Sequence, residues 1–249
     1  MIVNSMEGRC VTLTIQRPER RNALTSDMYR ALEQGLQKAQ ADPSCHAVIL
    51  TGTSDCFTAG NDLSEFQDSR SMSDSAGLAF LRTLANIDVP VIAGVEGYAV
   101  GIGVTLLQHC DFVYAGDTAK FNMPFVSLGL CPEGGSSMLM AQLAGARRSA
   151  EWLLLGKWFS AAEACDSGLI TAVVPAGEAL SMAQATAAAL GNQPGQALRI
   201  SKRMLREPAR ASLMQVFDNE RDLFNERLKS DEAQAAFQRF FEKKGTKPR

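Results

Sequence analysis

Histidine is scarce in this chain and cysteine is unpaired: two histidines and six cysteines stand among 249 residues. The cysteines, at 10, 45, 56, 110, 131 and 165, include no CxxC pair, and His46 and His109 are too few to complete a metal site with them. Neither a zinc module nor a dithiol redox motif is expected, and no metal ligands are assigned. The thiols read as reduced, buried small hydrophobes. No apolar run approaches the ~20 residues a spanning helix needs, so no membrane partner is expected. The net charge of −2, with both signs interspersed, lacks the basic stripe of a nucleic-acid-binding chain. The opening "MIVNSMEGRCVTL" lacks the basic, apolar and small-residue order of a secretory signal. A cytoplasmic protein is the expectation.

Several nucleotide and nucleophile motifs are missing too. There is no GxxxxGK[ST] phosphate loop and no GxSxG elbow. Gly101-x-Gly103 begins a dinucleotide fingerprint, but Leu106 stands where the third glycine belongs. His46 lies on an apolar strand edge and His109 at the end of an apolar helix, positions that suit structural histidines better than catalytic bases.

What is present is an α/β pattern with 46% apolar residues, enough for a sizeable core. Short apolar runs at 10–16, 47–52, 90–95, 112–115 and 170–174 read as buried strands. Thr25-Ser26-Asp27 can cap a helix whose apolar face is Met28, Ala31, Leu32, Leu36 and Ala39. Ser160 stands three residues before Glu163, a capping box, and Gly168 is a stop signal. Beyond Gly177 only helical segments follow, near 177–190, 195–206, 208–229 and 231–243, with Pro208 expected to break the second from the third. The sequence shows no internal repeat. Residues 1–190 are expected to form an α/β core and 191–249 a helical C-terminal region.

Two glycine-rich strand-to-helix junctions carry the chemistry. In "AVILTGTSDCFTAGNDLSEF" a strand leads to a helix opening at Asp62-Leu63-Ser64, and "VIAGVEGYAVGIGVTLLQHC" repeats the arrangement. Peptide N–H groups at such helix starts lack internal acceptors, and a converging pair suits a developing oxyanion. A third stretch, "SLGLCPEGGSSM", places Glu133 among proline, glycines and apolar residues. By itself it reads first as a solvent-facing turn before a helix.

Five segments in this order resemble the crotonase superfamily of enoyl-CoA hydratases and isomerases: "TLTIQRPERRNALTSDMYRAL", "FTAGNDLSEF", "PVIAGVEGYAVGIGVTLLQHCDFVYA", "FNMPFVSLGLCPEGGSS" and "GKWFSAAEACDSGLITAVVP". The resemblance implies a repeated ββα spiral with a C-terminal helical trimerisation region, assembled as a homotrimer or dimer of trimers. It also implies an acyl-CoA substrate, whose thioester oxygen is held by the peptide N–H groups of Asn61 and Ile102. Coenzyme A is then part of the substrate, and no further cofactor is expected.

The two glutamates that hydratases of the family use fall on Thr105 and Phe125, neither of which can take a proton from water at neutral pH. Glu133 falls where the Δ3,Δ2-enoyl-CoA isomerase branch carries its single base. The resemblance further implies CoA contacts along Ala59, Gly60, Asp62 and Leu63, with Arg20, Arg21 and Ala23 alongside; Asp62 reads as the cap of the next helix ahead of a substrate contact, and a solvated loop is the alternative for both arginines. Phe125 and Leu130, with Leu128 and Met138, are expected to keep the site dry. Phe240 and Lys243 match positions that reach a neighbouring subunit's CoA in related proteins. An isomerase is therefore expected, with a hydratase or other acyl-CoA enzyme as the alternative, and a catalytically silent acyl-CoA-binding protein as the reading from another class.

Overall fold

The computed structural model describes residues 1–53, 55–65 and 75–245, with side chains described through residue 242. A hairpin of β1 (Ile2–Glu7) and β2 (Cys10–Ile15) opens a six-stranded sheet. It continues in parallel through β3 (Ala47–Gly52), β5 (Val91–Val95), β7 (Phe112–Gly116) and β10 (Ala172–Val174), in the order β1-β2-β3-β5-β7-β10. A second sheet has the order β4-β6-β8-β9, formed by Cys56–Thr58, Tyr98–Val100, Lys120–Asn122 and Phe159–Ser160. Each successive pair, β3/β4, β5/β6 and β7/β8, puts one strand into each sheet, which is the ββα spiral. The repeat lies in the backbone and left no trace in the sequence, because each turn packs different neighbours with different side chains.

The five long-sheet strands after β1 match their apolar runs to within two residues at either end. All five residues of β5, and all but the last of β3, are buried, as expected of a parallel sheet covered on both faces. One cover is the helix α1 (Ser26–Ala41), with Thr25 Oγ1 accepting from Met28 N. Its buried face is Met28, Tyr29, Leu32, Leu36 and Ala39, while Ala31 is exposed. The buried face is thus rotated from the expected one, with Tyr29 on the flank toward the cavity described below and Ala31 on the opposite flank, turned to solvent. The second-sheet strands escaped the sequence reading because runs of two or three residues are too short to show a period.

Further helices are α2 (Ala76–Asn86), the single turn α3 (Ile102–Thr105) running into a 3-10 turn Leu106–His109, α4 (Ser136–Leu153), and α5 (Ala161–Asp166), which carries the expected capping box. The opposite sheet cover is α6 (Ala179–Gly191): Ala183 and Ala187 pack on Ala47, Ile49 and Ile92.

The long helix α7 (Gly195–Leu228) corrects the expected break, since Pro208 lies inside it. A proline there removes one hydrogen bond, to the carbonyl four residues earlier. That residue is Met204, 70% exposed, so water can take the bond. The helix is also anchored ahead of the proline. Lys202 Nζ donates to Val89 O at 2.8 Å and pairs with Asp111 at 2.6 Å, and Arg199 donates to the carbonyls of Ala39, Gln40, Asp42 and Cys45 at the end of α1. The last helix is α8 (Asp231–Gly245). Among the described residues no helix is long and apolar enough to cross a membrane.

Candidate active site

The first glycine-rich junction is built by two segments lying side by side. Leu24 N donates to Gly60 O at 2.8 Å and Asp62 N to Leu24 O at 2.9 Å, leaving the intervening Asn61 N–H without a backbone acceptor among the described residues. Gly60 has φ +88, and a Cβ there would sit 2.7 Å from Val100 O, so only glycine lets this loop press against β6. Tyr29 donates its hydroxyl to Asn61 Oδ1 at 2.5 Å and thereby ties the loop to α1. Burial, followed by the charges of Glu133 and Glu65, pushes the Tyr29 phenol well above its ordinary value, so it stays protonated and remains a donor.

The second junction is Gly101-Ile102. Gly101 N donates to Asn122 O, whereas Ile102 N heads the single turn α3, where no intrahelical acceptor exists. Asn61, Ile102 and Glu133 all line one cavity of about 270 Å³, together with Leu24, Leu78, Phe217 and Phe224.

Glu133 is held at the side chain and at the backbone. Thr105 Oγ1 donates to Glu133 Oε1 at 2.8 Å, and Ser136 Oγ donates to Glu133 O at 2.6 Å. The carboxyl is partly open to the cavity and otherwise enclosed by protein, and that burial pushes its pKa up to about 7. The Thr105 hydrogen bond favours the charged form and Glu220 disfavours it, but desolvation outweighs both. A carboxyl balanced near neutrality can take a proton and return it.

The expected site residues divide into two groups. Asn61, Ile102, Glu133 and Asp62 line the cavity. Arg20, Arg21, Ala23, Ala59, Gly60 and Leu63 lie outside the cavity wall; Ala59 N donates to Arg21 O at 2.9 Å, so the two loops do lie together, with both arginines exposed. Asp62 accepts from Ser64 N at 3.2 Å, the capping bond, and also from Arg17 at 2.7 Å. Phe125 and Leu130 are buried, at 5% and 6% exposure, but away from this cavity. Its apolar wall comes from α1, α2 and α7 instead. Phe240 stacks edge-on against Phe241 at 5.6 Å, and the side chain of Lys243 lies outside the described residues.

Glu220, Tyr29, Phe217 and Phe224 were not anticipated. Glu220 and the two phenylalanines sit on a helix some ninety residues beyond Glu133, where an amphipathic pattern distinguishes a buried face but not what that face meets. Among the described residues no group of three or more His, Cys, Asp or Glu side chains is placed to hold a metal ion.

The sequence model of the enoyl-CoA hydratase/isomerase family matches residues 6–247, so the chain belongs to that family. It is 33% identical over 246 residues to a probable enoyl-CoA hydratase, echA8, of Mycobacterium tuberculosis, covering 98% of this chain and 95% of the relative. It is 35% identical over 252 residues to enoyl-CoA delta isomerase 2 of Homo sapiens, covering 98% of this chain and 64% of that one. The solved structure of Pseudomonas aeruginosa OdaA superposes with a TM-score of 0.93 at 39% identity, covering 96% and 98% of the two chains. Relatives thus carry both hydratase and isomerase names, and the division between them must be argued from the site.

Proposed function

We propose that the protein is a Δ3,Δ2-enoyl-CoA isomerase in which Glu133 is the only proton-transferring base. The observation that carries this reading is the environment of Glu133: one carboxyl near neutral pKa facing the same cavity as Asn61 and Ile102, with Thr105 and Phe125 at the two positions where hydratases of the family have glutamates. The Glu133 carboxylate removes a proton from C2 of a β,γ-unsaturated acyl-CoA. Electron density moves through the double bond onto the thioester oxygen, where the Asn61 and Ile102 N–H groups stabilise the dienolate. The protonated Glu133 then delivers the same proton to C4, and the electrons return as an α,β double bond conjugated with the thioester. Mass and charge are conserved, so coenzyme A needs no companion cofactor.

Hydration would instead need a second carboxylate free to position water. Glu65 and Glu220 also line the cavity, but Glu65 accepts from Ser26 N and Oγ, and Glu220 from the N–H groups of Gly135 and Ser137. Assembly as a homotrimer, or as a pair of trimers, belongs to the same reading. Exposed Leu154, Leu155 and Trp158, at 63%, 73% and 50%, offer apolar surface for it, and sedimentation equilibrium tests it.

Spectroscopy with purified protein separates the function classes. An isomerase generates the conjugated thioester absorbance from 3-enoyl-CoA, a hydratase bleaches that of 2-enoyl-CoA, and a silent binder does neither. Bleaching of 2-enoyl-CoA with no absorbance gained from 3-enoyl-CoA would overturn the isomerase reading.

A further inference from the structure

The helix that follows Glu133 starts without a side-chain cap of its own. Its N-cap residue is Gly135, with φ +80, and glycine has no oxygen to offer the free N–H groups of the first turn. A larger residue is strained there by the positive φ, and a Cβ on Gly135 would lie 2.6 Å from Leu213 Cδ1, so that side chain would have to shift. The cap comes instead from far along the chain. Glu220, on α7 and 4% exposed, accepts from Gly135 N at 2.6 Å through one carboxylate oxygen and from Ser137 N at 2.9 Å through the other. His109 grips the same turn from the opposite side: its Nε2–H donates to Gly134 O at 2.8 Å, and its ring packs on Phe217, also from α7, at 5.6 Å between centroids. Burial keeps that histidine neutral, with its pKa lowered to about 4, and the carbonyl fixes the proton on Nε2.

We infer that Glu220 is a positioning residue for Glu133: by capping α4 in place of a local side chain, it holds the Glu133-Gly134-Gly135 turn so that the base faces the two oxyanion donors. The inference rests on the proposed isomerase chemistry for its kinetic consequence, though not for its structural one. Two consecutive glycines, Gly134 (φ +71) and Gly135 (φ +80), connect the base to the helix, and they resist displacement weakly by themselves. A buried two-oxygen acceptor converts that freedom into one geometry. The helical C-terminal region thereby becomes part of the catalytic apparatus, with Glu220 acting through the backbone.

The test compares wild type, Glu220→Gln and Glu220→Ala in the full-length protein. Gln keeps the shape and one acceptor, so it provides a folded variant should Ala unfold. The expected result is a fall in kcat of about ten- to hundredfold, the scale of a small misplacement of a reacting group, larger for Ala than for Gln, with KM within about twofold of wild type. Amide hydrogen exchange at Gly135 and Ser137, read by NMR without substrate, should accelerate relative to the rest of α4. Wild-type kcat in a variant that only melts earlier would make Glu220 a structural residue and overturn the inference. So would a change confined to KM. A loss well beyond hundredfold that matches that of Glu133→Gln would make Glu220 a reacting group and overturn it too. If wild type does not isomerise 3-enoyl-CoA, the functional reading fails by itself, and the exchange data still decide the clamp: unchanged protection in Glu220→Gln and Glu220→Ala rejects it.

Discussion

The hydroxyl of Thr105 lies 2.8 Å from Oε1 of Glu133, so Thr105 serves as hydrogen-bond donor to the carboxyl of the proposed base. Thr105 is fully buried and its Oγ1 also lies 3.4 Å from Ile102 O. The bond therefore joins the Gly101-Ile102 junction to the proposed base, and it supplies the largest influence opposing the rise in the Glu133 pKa.

Removing that donor should move the pH profile in a defined direction. In Thr105→Val the carboxylate loses a bond that favours its charged form, so the Glu133 pKa rises above about 7 and the acid limb of kcat/KM moves to higher pH. A bond worth about 1.4 kcal/mol lowers kcat/KM roughly tenfold below the wild-type pKa of about 7, and the loss shrinks as pH passes the new one. Activity should recover at alkaline pH. An acid limb that stays in place, or moves to lower pH, would contradict the role given to Thr105.

Glu133→Gln keeps size and hydrogen bonding but cannot accept a proton. Isomerisation of 3-enoyl-CoA should fall by ~10²–10⁴, the usual contribution of a general base, while acyl-CoA affinity changes little. Turnover close to wild type would return Glu133 to the role of a turn residue.

The same variant should be more stable than wild type at neutral pH. In the folded protein the Glu133 carboxyl holds its proton up to about pH 7, against an ordinary value of 4.5, so the folded state binds more protons than the unfolded chain between those values. Stability from this group declines as pH rises through that window and is flat above it. Glutamine has no charge to bury, so Glu133→Gln should match wild type below pH 4.5 and exceed it by on the order of 1–3 kcal/mol above pH 7. Denaturant melts at both pH values measure it; a gap that does not grow with pH would mean the carboxyl is not desolvated.

At the first oxyanion junction the peptide and the side chain can be separated. Asn61→Pro deletes the N–H and should cost ~10²–10³ in turnover. Asn61→Ala keeps it but loses the Tyr29 bond, and Tyr29→Phe loses the same bond from the other side. These two should be mild and alike, with a double variant no worse than either. Damage from Asn61→Ala equal to that from Asn61→Pro would show that the side chain is the working group.

Exhaustive dialysis against a chelator should leave isomerisation unchanged, because every proposed step is assigned to Glu133 and to peptide donors. Lost activity that returns with added metal would require a different mechanism.

Local signals in the sequence were sufficient wherever the determinants are neighbours along the chain. Ser160 and Glu163 form their capping box, the apolar runs at 47–52 and 90–95 become buried strands, and five segments in fixed order point to the family. These follow from backbone hydrogen bonding, side-chain period and steric freedom, all of which act over a few residues. Tertiary structure decided the rest. It carried the chain through Pro208, because solvent reaches the freed carbonyl and Lys202 ties down the preceding turns. It kept Phe125 and Leu130 out of the cavity wall and brought in Phe217 and Phe224. It also set Glu220 on the amides of Gly135 and Ser137, 85 and 83 residues away. Burial and through-space hydrogen bonds depend on which surfaces meet after folding, so Glu133 could be singled out in the chain as a candidate, but its desolvation and its grip could be set only by the packed molecule.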